Sequence, residues 1–152
     1  LKERLACAEE AFPMKVTKDF SYRSKHIAGH GWVLVGDAFG FLDPIYSSGI
    51  YLALKSGEWA ADAVDAGIRA GDISAETLGA FGPKLNEGLE ALRKLVYAYY
   101  TKDFSFGRFL RKHPECQQGI IDILSGNVYA DSVRRIFGPM AEMCELPEEI
   151  TL

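Results

Sequence analysis

Residues 31 to 54 read GWVLVGDAFGFLDPIYSSGIYLAL, a stretch that closes an apolar run with a Gly-Asp pair and opens a later segment with Ser-Ser-Gly. Gly36 allows a ligand to approach the backbone closely, and Asp37 offers an ionised acceptor to sugar-type hydroxyls. Pro44 stiffens the loop between them, and Ser47, Ser48, Gly49 and Ile50 start a helix whose first N–H groups have no intrahelical acceptor. Such a helix start carries about half a positive charge and favours an anion. Taken singly, Asp37 reads equally as a turn former and the serines as a cap. In this order the two fragments describe an acceptor and a set of donors around one crevice.

Positioning those groups takes a strand, a loop and a helix. The continuous apolar run Trp32 to Val35 predicts a strand covered on both faces, as in the middle of a parallel sheet, with Gly36 and Asp37 at its carboxyl end. Ligands of open α/β sheets bind beyond such ends. Ile50, Leu54, Gly57, Ala61 and Val64 recur at spacings of four and three, which predicts one narrow apolar stripe on a helix capped by Ser48 and closed by Gly67. Gly57 and the alanines predict close approach to another backbone, with the helix flat on a sheet. Upstream, residues 2 to 10 predict a short helix with Leu5 and Ala8 inward, interrupted by Phe12 and Pro13. Val16, Phe20, Tyr22 and Ile27 alternate in part with polar residues, as in a half-buried antiparallel strand or hairpin, and AGHG at 28 to 31 supplies a turn.

Downstream the pattern is helical. Ser74 is placed to cap a helix carrying Leu78, Phe81, Leu85, Leu89, Leu92, Val96 and Tyr99. Gly82-Pro83 must break it near Phe81, because proline lacks a backbone donor and crowds the preceding turn, so a second, longer piece is expected. Three short helices follow, over residues 103 to 112, 114 to 125 and 130 to 143. Tyr97, Tyr99, Tyr100, Phe104, Phe106 and Phe109 read first as core, with a pocket for a flat or prenyl-like substrate as the alternative. Arg108 and Arg111 read as solvated, and Cys116 and Cys144 as small hydrophobes.

Composition removes several function classes. In 152 residues, 17 basic and 21 acidic side chains are scattered to a net charge of −4, leaving no basic stripe for nucleic acid. No apolar run reaches the roughly 18 residues that a membrane span needs. Cys7, Cys116 and Cys144 are far apart and lack CxxC spacing, so neither a disulfide framework nor a zinc site is expected, and the cytoplasm is the expected location. His26 and His30 have no carboxylate or cysteine at ligand spacing, so no metal is expected; His113 reads as exposed or as a cap. No Ser-His-Asp order, persuasive pair of acids or P-loop is visible, so no catalytic residue can be named.

The stretch GWVLVGDAFGFLDPIYSSGIYLALKSGEWAADAV resembles the second flavin-binding motif of the FAD-dependent monooxygenase superfamily. Its DPIYSSGI variant is most similar to the flavin-dependent halogenase and geranylgeranyl-reductase-like branches, and DFSYRSKHIAGHGW also resembles halogenase-like sequences. The resemblance is close over residues 19 to 66 and loose beyond. It implies that Asp37 binds the ribityl chain of FAD with Gly36 among the cofactor-binding residues, that Pro44 lines the flavin edge, and that Gly49 and Ile50 point N–H groups at the pyrimidine end of the ring. A halide is implied near Ser47, Ser48 and Gly49. The pyrimidine end gains negative charge on reduction, so a positive helix start favours the reduced form. The superfamily's GxGxxG pyrophosphate loop is absent, as are its ribose-binding acid and the halogenases' lysine and W-x-W-x-I-P segment. A chain that opens LKERLACAEE, without Met or a signal segment, accordingly reads as a carboxyl-terminal portion.

The expected fold class is an α/β fragment, mostly α: residues 1–70 as the end of an FAD-binding domain and 71–152 as a helical carboxyl-terminal domain. The expected function is that of an FAD-dependent oxidoreductase, a halogenase-like monooxygenase using reduced FAD and oxygen and forming hypohalous acid beside the helix start when halide is present. A reductase of isoprenoid double bonds is the alternative enzyme. As an isolated chain, a non-catalytic association module is the third reading, because the apolar strand and the Ile50 stripe require neighbours. The expected partners are the GxGxxG half of the same protein, a small-molecule substrate and a second copy.

Overall fold

The computed structural model describes residues 3–9, 11–18 and 21–150. Short β segments come first and helices follow, the mostly-α arrangement that the sequence implies. Strand β1 (Tyr22–Arg23) pairs antiparallel with β4 (Gly40–Phe41), and β2 (Ala28–Gly29) with β3 (Trp32–Val33). The β2–β3 reversal turns at His30-Gly31, where Gly31 takes φ 77°. The helices are α1 (Gly49–Ala70), α2 (Ala75–Leu78), α3 (Gly82–Tyr100), α4 (Phe106–Lys112), α5 (Gln117–Leu124) and α6 (Asp131–Ala141).

Helix boundaries follow local chemistry. Ser74 accepts a hydrogen bond from the Thr77 N–H and caps α2, and Pro83 sits in the first turn of α3, so the break at Gly82-Pro83 falls where proline demands it. Helix α3 is the centre of the core. Its Leu85, Leu89, Leu92, Leu95 and Ala98 are buried in one cluster with Leu52 and Ala60 of α1, Phe39, Phe109 of α4, and Ile120, Ile123, Val133, Ile136 and Met140 of α5 and α6. Cys116 and Cys144 are buried there as free thiols.

Several expectations are corrected. The amino-terminal helix is one 3-10 turn, Glu3–Leu5, with Ala8 exposed; the side chain of Leu5 and residue 10 lie outside the described residues, as does Phe20. Val16 is exposed, and the predicted strand or hairpin over residues 15 to 27 contracts to Tyr22–Arg23. The Trp32 to Val35 run is strand only at Trp32–Val33, and Trp32 and Val35 are exposed. A continuous apolar run encodes neighbours on both faces, but among the described residues no parallel strand lies beside it.

Helix α1 turns the opposite face inward from the one predicted. Leu52, Ser56, Ala60 and Gly67 are buried, whereas Ile50 and Leu54 are 77% and 70% exposed. Gly57 meets nothing within 4 Å; the close approach is made by Gly67, where a Cβ would lie 2.7 Å from the Asp72 carbonyl. The helix ends one turn later than predicted, at Gly71 with φ 67°. Tyr97, Tyr99 and Tyr100 are exposed, so the core reading of the aromatic stretch holds for its phenylalanines, with Phe109 fully buried and Phe104 and Phe106 packed on the core. Among the described residues no helix is long and apolar enough to cross a membrane.

Candidate functional site

The segment joining β3 to α1 shapes the site. Val35 is extended and Gly36 bends into a 3-10 turn (Gly36–Ala38) at φ 52°, a left-handed value that glycine adopts without strain. Space also demands glycine there, since a Cβ would sit 3.0 Å from the Ala53 Cβ. The Gly36 N–H donates to the Ser56 hydroxyl at 2.9 Å, and that hydroxyl donates to the Leu52 carbonyl at 2.7 Å. Ser56 is fully buried, so this one side chain pins the strand end to α1. Sequence reasoning missed it by assigning the inward face to Ile50 and Leu54; the signal was a lone hydroxyl inside the four-residue series Leu52, Ser56, Ala60.

The return to the helix is built as tightly. The Asp43 carboxylate accepts from the Ile45 N–H at 3.0 Å and from the Tyr100 hydroxyl at 3.1 Å, fixing a 3-10 turn (Pro44–Tyr46) to the end of α3. Ser47 follows at φ 54°, the single non-glycine residue with positive φ among the described residues. Ser48 occupies the N-cap position but makes no side-chain cap bond. The Leu52 N–H donates to the Ser48 carbonyl at 3.1 Å, so the Gly49, Ile50 and Tyr51 N–H groups precede the first intrahelical bond.

These turns place Gly36, Asp37, Ser47, Gly49 and Ile50 on one open concavity of about 540 Å³, together with Val35, Phe41 and Ala53. Pro44 and Ser48 do not line it. Pro44 is exposed in its turn, and Ser48 lines a separate cleft of about 170 Å³ with Tyr46, Tyr51, Leu92 and Ile123; Ser47 borders both. Asp37 is exposed, and among the described residues its carboxylate makes no hydrogen bond or ion pair. The concavity thus offers one anionic acceptor at one side and helix-start donors at the other, an arrangement that suits a hydroxyl-bearing ligand with an electron-rich edge.

Tyr46 ties this loop to the core by donating to the Leu95 carbonyl at 3.4 Å. Burial, then the neighbouring Tyr99 and Tyr100 hydroxyls, push its pKa from 10.0 up to about 12. A raised folded-state value means that the associated stability is present in full below about pH 10 and is lost as pH rises toward 12. In an ultraviolet tyrosinate titration, Tyr46→Phe is expected to remove a late-ionising phenol and leave the early part of the curve unchanged; loss of an early phenol instead would contradict this.

His113 corrects another expectation. Its side chain is only 14% exposed, packed against the Phe109 ring, with Nδ1 3.3 Å from Glu115 and Nε2 3.9 Å from Glu142; it makes no cap bond. The residue is a half-buried strut between the turn after α4 and the end of α6. No group of His, Cys, Asp or Glu among the described residues is arranged to hold a metal ion.

Over 143 residues, 94% of this chain, the sequence is 29% identical to the 1H-pyrrole-2-carbonyl-(peptidyl-carrier protein) chlorinase of Pseudomonas fluorescens, of which it covers 32%. It is 32% identical over 126 residues, 83% of the chain, to the corresponding brominase of Pseudoalteromonas luteoviolacea, of which it covers 30%. The flavin-dependent halogenase armH1 of Armillaria mellea is 37% identical over 84 residues, covering 55% of this chain and 16% of that protein. No family model matches the chain. The chain is therefore homologous to part of the flavin-dependent halogenases, which are enzymes, and spans about a third of the length of the first two.

Proposed function

We propose that this chain is the carboxyl-terminal portion of an FAD-dependent, halogenase-like monooxygenase, with residues 1–70 completing an FAD-binding domain and 71–152 forming a helical domain. The observation that carries the reading is the shared concavity of Gly36, Asp37, Gly49 and Ile50 in a chain homologous to halogenases. The residues fit the cofactor. Gly36 lacks the Cβ that would press on Ala53 in the wall of the concavity, Asp37 is an uncommitted acceptor for the ribityl hydroxyls, and the Gly49 and Ile50 N–H groups are donors for the pyrimidine edge. When bound, FAD supplies the redox chemistry with oxygen and halide. The chain's own residues orient the polyol, place a positive helix end at the ring edge, and hold a halide at Ser47 and Gly49. Pro44 and Ser48, off the concavity, shape the loop in this reading.

The GxGxxG half is supplied by the rest of the same protein. Two relatives that align along more than four fifths of the chain act, by their names, on a pyrrole carbonyl carried by a peptidyl-carrier protein, and we extend that substrate class here: a small aromatic acyl group on a carrier. That homology favours halogenation over isoprenoid reduction.

The test compares FAD with riboflavin, which has the ring and the polyol but no pyrophosphate. Because this chain offers contacts only to ring and polyol, both are expected to bind it more weakly than micromolar and within a few-fold of each other, read by flavin fluorescence. Asp37→Ala is expected to weaken both about tenfold, the worth of a charged hydrogen bond. Micromolar FAD binding would overturn the incomplete site, and indifference to Asp37→Ala would overturn its role.

A further inference from the structure

The corner between α3 and α4 concentrates residue types that the flavin reading does not use. Tyr99 and Tyr100 are 49% and 60% exposed at the end of α3, and the Tyr100 hydroxyl donates to Asp43, in the loop that leads to the candidate site. Two residues on, exposed Lys102 begins a segment, 102 to 112, with four cations and one acid in a chain of net charge −4. Helix α4 buries Phe109 completely and packs Phe106 and Leu110 on the core. Its opposite face presents Arg108, Arg111 and Lys112, all exposed, at the spacing i, i+3, i+4 that makes one surface row.

The fold employs these cations lightly. Arg108 donates to the Asp103 carbonyl, Lys112 reaches Glu142 at 3.4 Å with both side chains more than half exposed, and among the described residues Arg111 forms no ion pair. Arg111 and Lys112 also complement the carboxyl end of α4, which accounts for neither Lys102 nor Arg108. Exposed tyrosine and arginine together are the composition of protein interfaces, and a local positive field on an otherwise acidic chain orients an acidic partner.

We infer that this corner docks an acidic carrier protein and thereby brings its tethered acyl group to the loop, tied to Tyr100 through Asp43, that leads to the candidate site. The inference rests on the carrier-bound substrate proposed above. It adds the face, its chemistry and the six residues that make it.

The probe is the carrier protein on which the Pseudomonas fluorescens relative acts, labelled and titrated with the 152-residue chain by fluorescence anisotropy. Binding is expected, weakening as salt rises, and Arg108→Glu with Arg111→Glu is expected to reduce it at least about tenfold. Lys25→Glu with Arg69→Glu changes the net charge equally away from the corner and is expected to leave it within about twofold. Circular dichroism establishes that both variants fold. Equal loss in the two variants, or none in the first, would overturn the docking face while leaving a carrier-bound substrate in place. No binding by the native chain would overturn both, and preferential capture by phosphatidylglycerol vesicles would overturn the protein partner. The flavin reading is judged separately, by riboflavin.

Discussion

Gly119→Ala is expected to destabilise the fold by about 3 kcal/mol and to lower Tm by roughly 6–12 °C. Helices α5 and α6 pack more extensively than any other pair, and the added methyl would fall inside van der Waals contact with the Ser132 backbone and the Ile136 side chain. Neither neighbour can give way. Ile136 is fully buried, with Ile123 and Val133 nearly so, and the Ser132 backbone is held in place because its hydroxyl donates to the Asp122 carboxylate across the same pair. Relief therefore requires the helices to part, which opens voids along Ile123, Val133 and Ile136. The same substitution at Gly57, also within a helix but with nothing within 4 Å, is expected to stabilise by up to about 1 kcal/mol through helix propensity. Chemical denaturation of the two variants beside the parent checks both signs at once. Similar midpoints would mean that α5 and α6 are not in contact as described.

What was legible in the sequence depended on how local its cause is. Ser74 and Pro83 act within one turn through a hydroxyl or a missing N–H, and α2 and α3 start where they dictate, whereas Pro114 opens a 3-10 turn (Pro114–Cys116) and α5 follows only at Gln117. Gly31 likewise reverses the chain by its own dihedral freedom. The inward face of α1 was not legible, because two rows of small and apolar residues run along it and only long-range packing selects between them. Leu52, Ser56 and Ala60 face α3 and Gly36, while the bulkier row is left outside. The candidate site was legible as a set of residue types in order. That Gly36, Asp37, Ser47, Gly49 and Ile50 border one concavity, and that Pro44 and Ser48 do not, depends on the left-handed Ser47 and the Ser56 pin, which spacing does not encode.

The uncovered row of α1 carries the other large expectation: the chain self-associates, and Leu54→Glu returns it to monomer. Ile50, Leu54 and Ile68 are 77%, 70% and 67% exposed along one helix, over roughly 27 Å at 1.5 Å per residue. Burying a side chain of this size contributes about 1.5–3 kcal/mol, so three from each copy exceed the low end of the 4–15 kcal/mol cost of association and leave a dimer of modest affinity. Leu54 lies one turn from Ile50, in the end of the row where two large apolar side chains are adjacent. A glutamate there must either lose its hydration in the interface or hold the two faces apart, a penalty of several kcal/mol, so the dimer is expected to weaken at least about a hundredfold. Sedimentation velocity over a micromolar concentration series reads both states, and a monodisperse parent monomer would show that the row is tolerated in water. Ile50 and Ala53 belong both to this helix and to the candidate concavity, so whatever covers the row also walls the proposed site. Riboflavin should accordingly bind the dimer more tightly than the Leu54→Glu monomer, although Leu54 itself does not line the concavity.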